Sequence, residues 1–255
     1  MKTKLIQGNY QVFEGRYNEQ MPLLVQEGLT PLTTKDVMQY RLQAIQSKDK
    51  DEMNFWLNQY FDTVDGLAYH KGQLIVVPNS QELLNINEDS KLNNGSLKLN
   101  DEQYKEISKK HEVIERNKIV SGKSLTKEQV KLHPIWLKLA QEDKSLLNEY
   151  TDAIFAKAKE VYDYDENMGV YLPDDQEQPA MRDWFLWGLD GRSNAFAGVV
   201  LGSDFRLFGV RAQNLGSTLE KIAKEAKIMN PQEVRKALEF YKSGKTGKLD
   251  LKLLQ

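Results

Sequence analysis

Residues 182–187 read RDWFLW (Arg182-Asp183-Trp184-Phe185-Leu186-Trp187), and how they are read decides the kind of fold available to the chain. Successive side chains of a strand alternate sides, so Trp184 and Leu186 face one way and Phe185 and Trp187 the other, and both faces are apolar. Such a strand belongs between two layers, which places both tryptophans in the core. A base- or sugar-stacking surface is the alternative, because aromatic rings serve both purposes. Around this stretch, residues 169–211 are rich in Gly, Val and aromatics, with breaks every several residues. That pattern predicts three or four strands with tight turns at Asp190-Gly191 and Gly202-Ser203.

Moving outward, the period changes to that of helices. Leu147, Tyr150, Ile154, Ala158 and Val161 recur at helical spacing and predict a long helix from about Lys144 to Tyr162. Thr126 with Gln129 and Thr33 with Asp36 start helices as capping boxes, and Asn100 caps a short one. After Thr33 the apolar positions are Val37, Met38, Tyr40, Leu42, Ala44 and Ile45. Leu5–Phe13 is strand-like. Leu67–Tyr69 and Leu74–Val77 flank His70-Lys71-Gly72-Gln73 as a hairpin, and the polar run 85–96 is a loop by composition. Near the end, Ser217 with Glu220 and Asn230-Pro231 with Glu233 begin two helices that form an αα-hairpin. The expected class is α+β: a helical part, a small and mostly antiparallel sheet holding the tryptophan strand, and a C-terminal αα-hairpin. The expected division is an α+β region over 1–122 and a second over 123–255, an organisation also compatible with one continuous domain.

With 40% apolar and 28% charged residues the composition is that of an ordinary globular protein. There is no cysteine, which excludes disulfides, thiolate nucleophiles and Cys-ligated metals. The N-terminal MKTKLIQGNYQVFEG lacks the apolar run of a signal peptide, and nothing approaches the run of about 20 apolar residues that spans a membrane. A cytoplasmic protein is expected. The net charge of −2 conceals an asymmetry: residues 141–190 carry thirteen acidic and four basic residues, whereas from Phe205 onward eleven are basic and five acidic.

The sharpest chemical pattern is DYDENMGVYLPD over 163–174. Asp163, Asp165 and Asn167 occupy positions 1, 3 and 5 of a twelve-residue calcium loop that would end at Asp174. Position 6, which requires glycine, holds Met168, and position 12 holds an aspartate, so an acidic turn is the favoured reading. Two P-loop-like endings, at 121–124 and 243–246, lack the earlier glycine and have Asn117 and Glu239 there instead. Gly191-Arg192-Ser193-Asn194-Ala195 approaches a nucleophile elbow, but strand-like residues follow where a helix is needed, which favours a hairpin turn. The three histidines, His70, His111 and His133, have no metal-binding spacing. No cofactor is implied.

His133-Pro134-Ile135-Trp136, Asn167-Met168-Gly169-Val170, Met181-Arg182-Asp183-Trp184, Leu189-Asp190-Gly191-Arg192-Ser193 and Arg206-Leu207-Phe208-Gly209-Val210 carry a resemblance. Through them the second half is similar to a set of uncharacterised proteins of small-genome archaea. The resemblance implies no activity, cofactor or catalytic residue. It implies that these positions belong to one folded unit.

Without a complete catalytic motif, the leading functional expectation is a non-catalytic binding or interaction protein with a protein partner. One alternative is a hydrolase that uses Asp163, Asp165 and Asp190 with Arg192 or His133, with or without a divalent metal. Another is weak, nonspecific nucleic-acid binding through Arg235, Lys236 and Lys242 on the basic C-terminal helices.

Overall fold

The structure is a computed structural model that describes residues 4–6, 10–198, 201 and 204–211. The chain divides into a compact unit over residues 1–209 and a second over 210–255. The expected αα-hairpin, the residues Arg235, Lys236 and Lys242, and the turn at Gly202-Ser203 lie outside the described residues.

In chain order the elements begin with β1 (Lys4–Ile6), β2 (Tyr10–Arg16), α1 (Tyr17–Gln26), β3 (Leu29–Pro31), α2 (Thr34–Ser47) and α3 (Lys50–Asn58). Then come β4 (Phe61–His70), β5 (Gln73–Val77), α4 (Gln81–Leu84), β6 (Leu92–Asn93), β7 (Ser96–Lys98), α5 (Asp101–Lys110) and β8 (Ile114–Glu115). A 3-10 turn at Arg116–Lys118 leads to α6 (Lys127–Leu132), α7 (Pro134–Leu139) and α8 (Lys144–Tyr162). The last four strands are β9 (Val170–Tyr171), β10 (Ala180–Leu186), β11 (Ala195–Phe196) and β12 (Asp204–Arg211).

The expected small, mostly antiparallel sheet is corrected by the strand pairing. Among the described residues, twelve strands form one sheet along the path β1-β2-β12-β4-β10-β11-β9, with β3, β5, β6, β7 and β8 attached beside it. It is a mixed sheet, because β12 lies parallel to β4 and β9 parallel to β11. The sheet outgrew the sequence reading because its pairings are long-range. β4 from the first half runs antiparallel to β10 from the second, matching Ala180 with Tyr69 and Leu186 with Phe61. Strands of two residues, such as β6, β9 and β11, are too short for alternation to register.

Local chemistry explains the elements themselves. Thr33, Asn100 and Thr126 close capping boxes with Asp36, Gln103 and Gln129, supplying acceptors for first-turn N–H groups of α2, α5 and α6. Lys71 and Gly72 both have positive φ, as the two-residue turn joining β4 to β5 requires. Asn94-Gly95 does the same between β6 and β7, so the polar run read as a loop contains a hairpin. β10 is buried along its whole length, between β4 on one side and β7 and β11 on the other. Phe13, Tyr17, Met21 and Leu24 of β2 and α1 pack with Ala68 and Met181 in the core, and each large apolar side chain so buried contributes about 1.5–3 kcal/mol. Among the described residues, no helix is long and apolar enough to cross a membrane.

Candidate binding site

The connection from β10 to β11 brings the most chemistry to the surface. Trp184 is fully buried, but the strand ends at Leu186, and Trp187 just beyond it is 43% exposed. The expectation that both tryptophans lie in the core therefore holds for Trp184 and fails for Trp187. The alternation stops with the ladder, and the next side chain turns out to solvent.

The turn that follows is fixed by its own backbone. Trp187 N–H donates to the Asn194 carbonyl (3.0 Å), Arg192 N–H to Leu189 (3.0 Å) and Ser193 N–H to Gly188 (2.8 Å). Arg192 and Ser193 both adopt left-handed φ, +60° and +49°. The indole of Trp187 lies directly on Gly191, where a Cβ would sit 2.5 Å from its Cε3. From below, the buried guanidinium of Arg41 on α2 holds the Trp187 carbonyl (2.7 Å) while also donating to the Trp56 and Gln59 carbonyls and the Tyr150 hydroxyl. Leu189 N–H donates to the Leu57 carbonyl, which ties the turn to α3.

Two groups of aromatic and cationic side chains attach to this connection. At its start the ring of Phe185 meets Trp187 edge-on at 5.6 Å, Tyr60 lies 5.4 Å from Phe185, and the Arg206 guanidinium sits 5.1 Å over Tyr60. Glu14 and Gln59 hold that guanidinium in place. Within the turn the Arg192 guanidinium lies 3.8 Å over the ring of Tyr164, which stacks on Tyr162 at 5.3 Å, and Arg192 Nη1 donates to the Glu166 carbonyl. Such contacts hold long cationic side chains in one orientation, so less entropy is lost when a ligand binds.

The residues singled out from the sequence are placed as follows. Asp163 and Asp165 both pair with Lys159 on the surface (2.6 and 3.0 Å), and the bond from Lys159 holds the Asp163 carboxyl below its ordinary range. Asn167 is fully buried, with neither side-chain polar atom hydrogen-bonded, while Asp174 is exposed beyond β9. Among the described residues, no three His, Cys, Asp or Glu side chains converge as a metal site. Asp190 accepts from the N–H of Gly191 within the turn. His133 is buried against the Val120 carbonyl (2.9 Å), and burial lowers its pKa. A separate open cleft is lined by Thr33, Lys35, Lys110, His111, Lys138 and Glu142; there Lys138 pairs with Glu112 and Glu142, and Lys35 with Asp143.

Sequence reasoning does not single out Tyr60, Tyr164 or Arg206 as part of a surface, and it misplaces Trp187 and overlooks the buried Arg41 behind it. Trp187 falls inward only if the strand is extended one residue too far; Gly188 directly after it is the signal for the end. Arg41 falls in the apolar stripe of α2, four residues after Val37 and three after Met38, where a charge demands a buried set of acceptors.

No family model matches the chain, and no curated protein matches it. It is similar to a solved structure described as accommodation of massive sequence variation in Nanoarchaeota by the C-type lectin fold. The TM-score is 0.62 at 16% identity, over 82% of this chain and 100% of that one. At that identity the likeness shows the fold, which is C-type lectin-like.

Proposed function

We propose that the protein is a non-catalytic binding protein whose ligand surface is the Trp187–Asn194 turn with its flanks at Tyr60 and Arg206 and at Tyr164 and Arg192. The observation that carries the reading is the exposed indole of Trp187, held by Gly191 beneath the ring and by a fully buried arginine beneath the backbone. Ordering a tryptophan at the surface exposes apolar area that a partner can cover, and exposed Trp, Tyr and Arg are the residues that dominate protein interfaces. The ligand is a segment of a protein partner. The fold likeness adds support: in the similar structure the C-type lectin fold accommodates massive sequence variation, which suits a scaffold whose surface can change while its sheet is kept.

The test is to select peptides from a displayed library on the wild-type protein and measure their affinity for W187A and R192A. The reading expects a loss of at least about tenfold in affinity on W187A, the loss of a central aromatic anchor. Selected peptides that bind both variants as well as wild type would remove it.

A further inference from the structure

At the end of β10 opposite Trp187, one face of the sheet gathers three cations. β6 pairs with β7 so that Leu92 meets Leu97 and Asn93 meets Ser96. The Lys98 N–H donates to the Lys91 carbonyl (2.9 Å), which continues the ladder and sets these two lysines directly opposite each other. Opposed residues share a face, and so do residues two apart, so Lys91, Asn93, Ser96 and Lys98 lie on one side of the hairpin. β7 pairs in turn with β10, Ala180 meeting Lys98, and the same register brings Arg182 beside Ser96. Arg182 is only 7% exposed, and its guanidinium donates to the Ser96 hydroxyl (2.7 Å) and to the Asn94 (2.6 Å) and Gly198 carbonyls.

None of the three cations has a counter-ion. Among the described residues, no carboxylate forms an ion pair with Lys91, Lys98 or Arg182. Asp183, next to Arg182 in the chain, alternates to the other face. Asp175 is engaged by the N–H groups of Gly72 (2.6 Å) and Gln176 (3.0 Å), and Glu177 stands exposed at the rim. Like charges opposed across a hairpin weaken it, and a buried guanidinium without a carboxylate is costly as well. The hairpin and the loop 175–178 enclose an open cleft of about 780 Å³, polar apart from Leu92. Its floor is fixed, because the Gln176 amide donates to the Tyr69 hydroxyl (3.2 Å), which shares a hydrogen bond with Ser96 (2.6 Å).

We infer that this cleft is a second ligand site, separate from the Trp187 surface, and that it takes a small soluble phosphate monoester, with Lys91 and Lys98 closing on the phosphate from opposite strands. Two opposed ammonium groups match a group that carries nearly two negative charges and three acceptor oxygens, and lysine binds phosphate as a point charge. Arg182, spent on neutral acceptors, adds positive potential from beneath without touching the ligand. The Gln178 amide has no partner among the described residues and is left for a hydroxyl on the rest of the molecule. The volume lies within the roughly 300–1,000 Å³ of small-molecule sites, and the polar lining selects a polar ligand.

Titration of the full chain with glycerol 3-phosphate, followed by amide NMR shifts at constant ionic strength, tests the site. The inference expects saturable shifts centred on Lys91, Lys98 and Gln176, with a Kd of about 1 mM or tighter. K98E sets opposite charges across the hairpin, so it should melt no lower than wild type while losing at least about tenfold in affinity. If K98E melts well below wild type, the double variant K91Q/K98Q replaces it under the same expected loss. Absence of saturable shifts, or shifts matched by chloride at equal ionic strength, would overturn the inference, as would undiminished affinity in the variant that folds. Succinate bound as tightly as glycerol 3-phosphate would overturn the choice of phosphate. Binding to vesicles containing phosphatidic acid, with none to glycerol 3-phosphate, would overturn the choice of a soluble ligand. None of these outcomes involves Trp187, so the peptide-binding reading is tested separately.

Discussion

The guanidinium Nη2 of Arg41 donates to the carbonyl oxygen of Trp187 at 2.7 Å, joining positions 146 residues apart. This bond is why an exposed tryptophan can hold one orientation: the anchor is inside and the indole outside. Arg41 is fully buried, and its acceptors are three carbonyls and a hydroxyl.

Replacing Arg41 by methionine keeps much of the volume but takes the donor away from four acceptors, of which the Trp56 carbonyl and the Tyr150 hydroxyl are buried and the Gln59 and Trp187 carbonyls part-buried. Since each unsatisfied group costs about 1–3 kcal/mol, partly relieved by water, R41M is expected to lose about 3 kcal/mol or more. Urea denaturation measures it. A loss below about 1 kcal/mol would mean that the cage is not a structural anchor.

The two tryptophans of RDWFLW should separate cleanly under mutation. Trp184, fully buried, is expected to cost about 3–5 kcal/mol on replacement by alanine, because the cavity cannot close. Trp187, 43% exposed, is expected to cost less than about 1 kcal/mol. Thermal melts of the two variants decide it, and equal losses would put Trp187 back in the core.

That contrast also marks how far the sequence could be read. Signals carried by neighbouring residues were legible: the capping boxes at Thr33 and Thr126, the helix ending at Tyr162, and the turn at Lys71-Gly72. The hairpin at Asn94-Gly95 carried its own turn signal, hidden in a polar run too short in apolar residues to suggest strands. Sheet size was not legible, because the meeting of Leu67 with Arg182 leaves no local pattern. The same holds for the candidate site. Arg192 stacks on Tyr164 and Arg41 reaches Trp187, and each pairing exists only once the chain has folded.

Stability should fall as pH rises from about 4 to about 7. Burial pushes the Asp65 carboxyl up to about 6 and that of Asp183 up to about 7. The unfolded chain gives up these protons near pH 4, so between there and the folded-state values the native state holds more protons and loses stability with rising pH. Melting temperatures across this window should show the decline, and D183N should flatten its upper part. A wild-type protein that grows steadily more stable from pH 4 to 7 would contradict the assignment.

Two glycines beside the proposed surface should respond to different degrees to alanine. At Gly169 an added Cβ would lie 2.4 Å from the Lys123 carbonyl oxygen, and the Gly169 N–H and carbonyl are both bonded, to Asn194 and Ala195. The Lys123 backbone cannot yield cheaply, so G169A is expected to cost about 1–3 kcal/mol, the usual range for overpacking. At Gly191 the added Cβ meets Cε3 of the Trp187 indole at 2.5 Å and the Trp187 Cβ at 2.9 Å; the indole, open to solvent, can swing away, but the Cβ moves only with the backbone. G191A should therefore cost less than G169A, on the order of 1 kcal/mol, while changing tryptophan fluorescence. It should also weaken Trp187-dependent peptide binding nearly as much as W187A does, because the platform has moved rather than vanished. If G191A shifts the fluorescence but binds those peptides as tightly as wild type, the orientation of the indole is not what the partner reads.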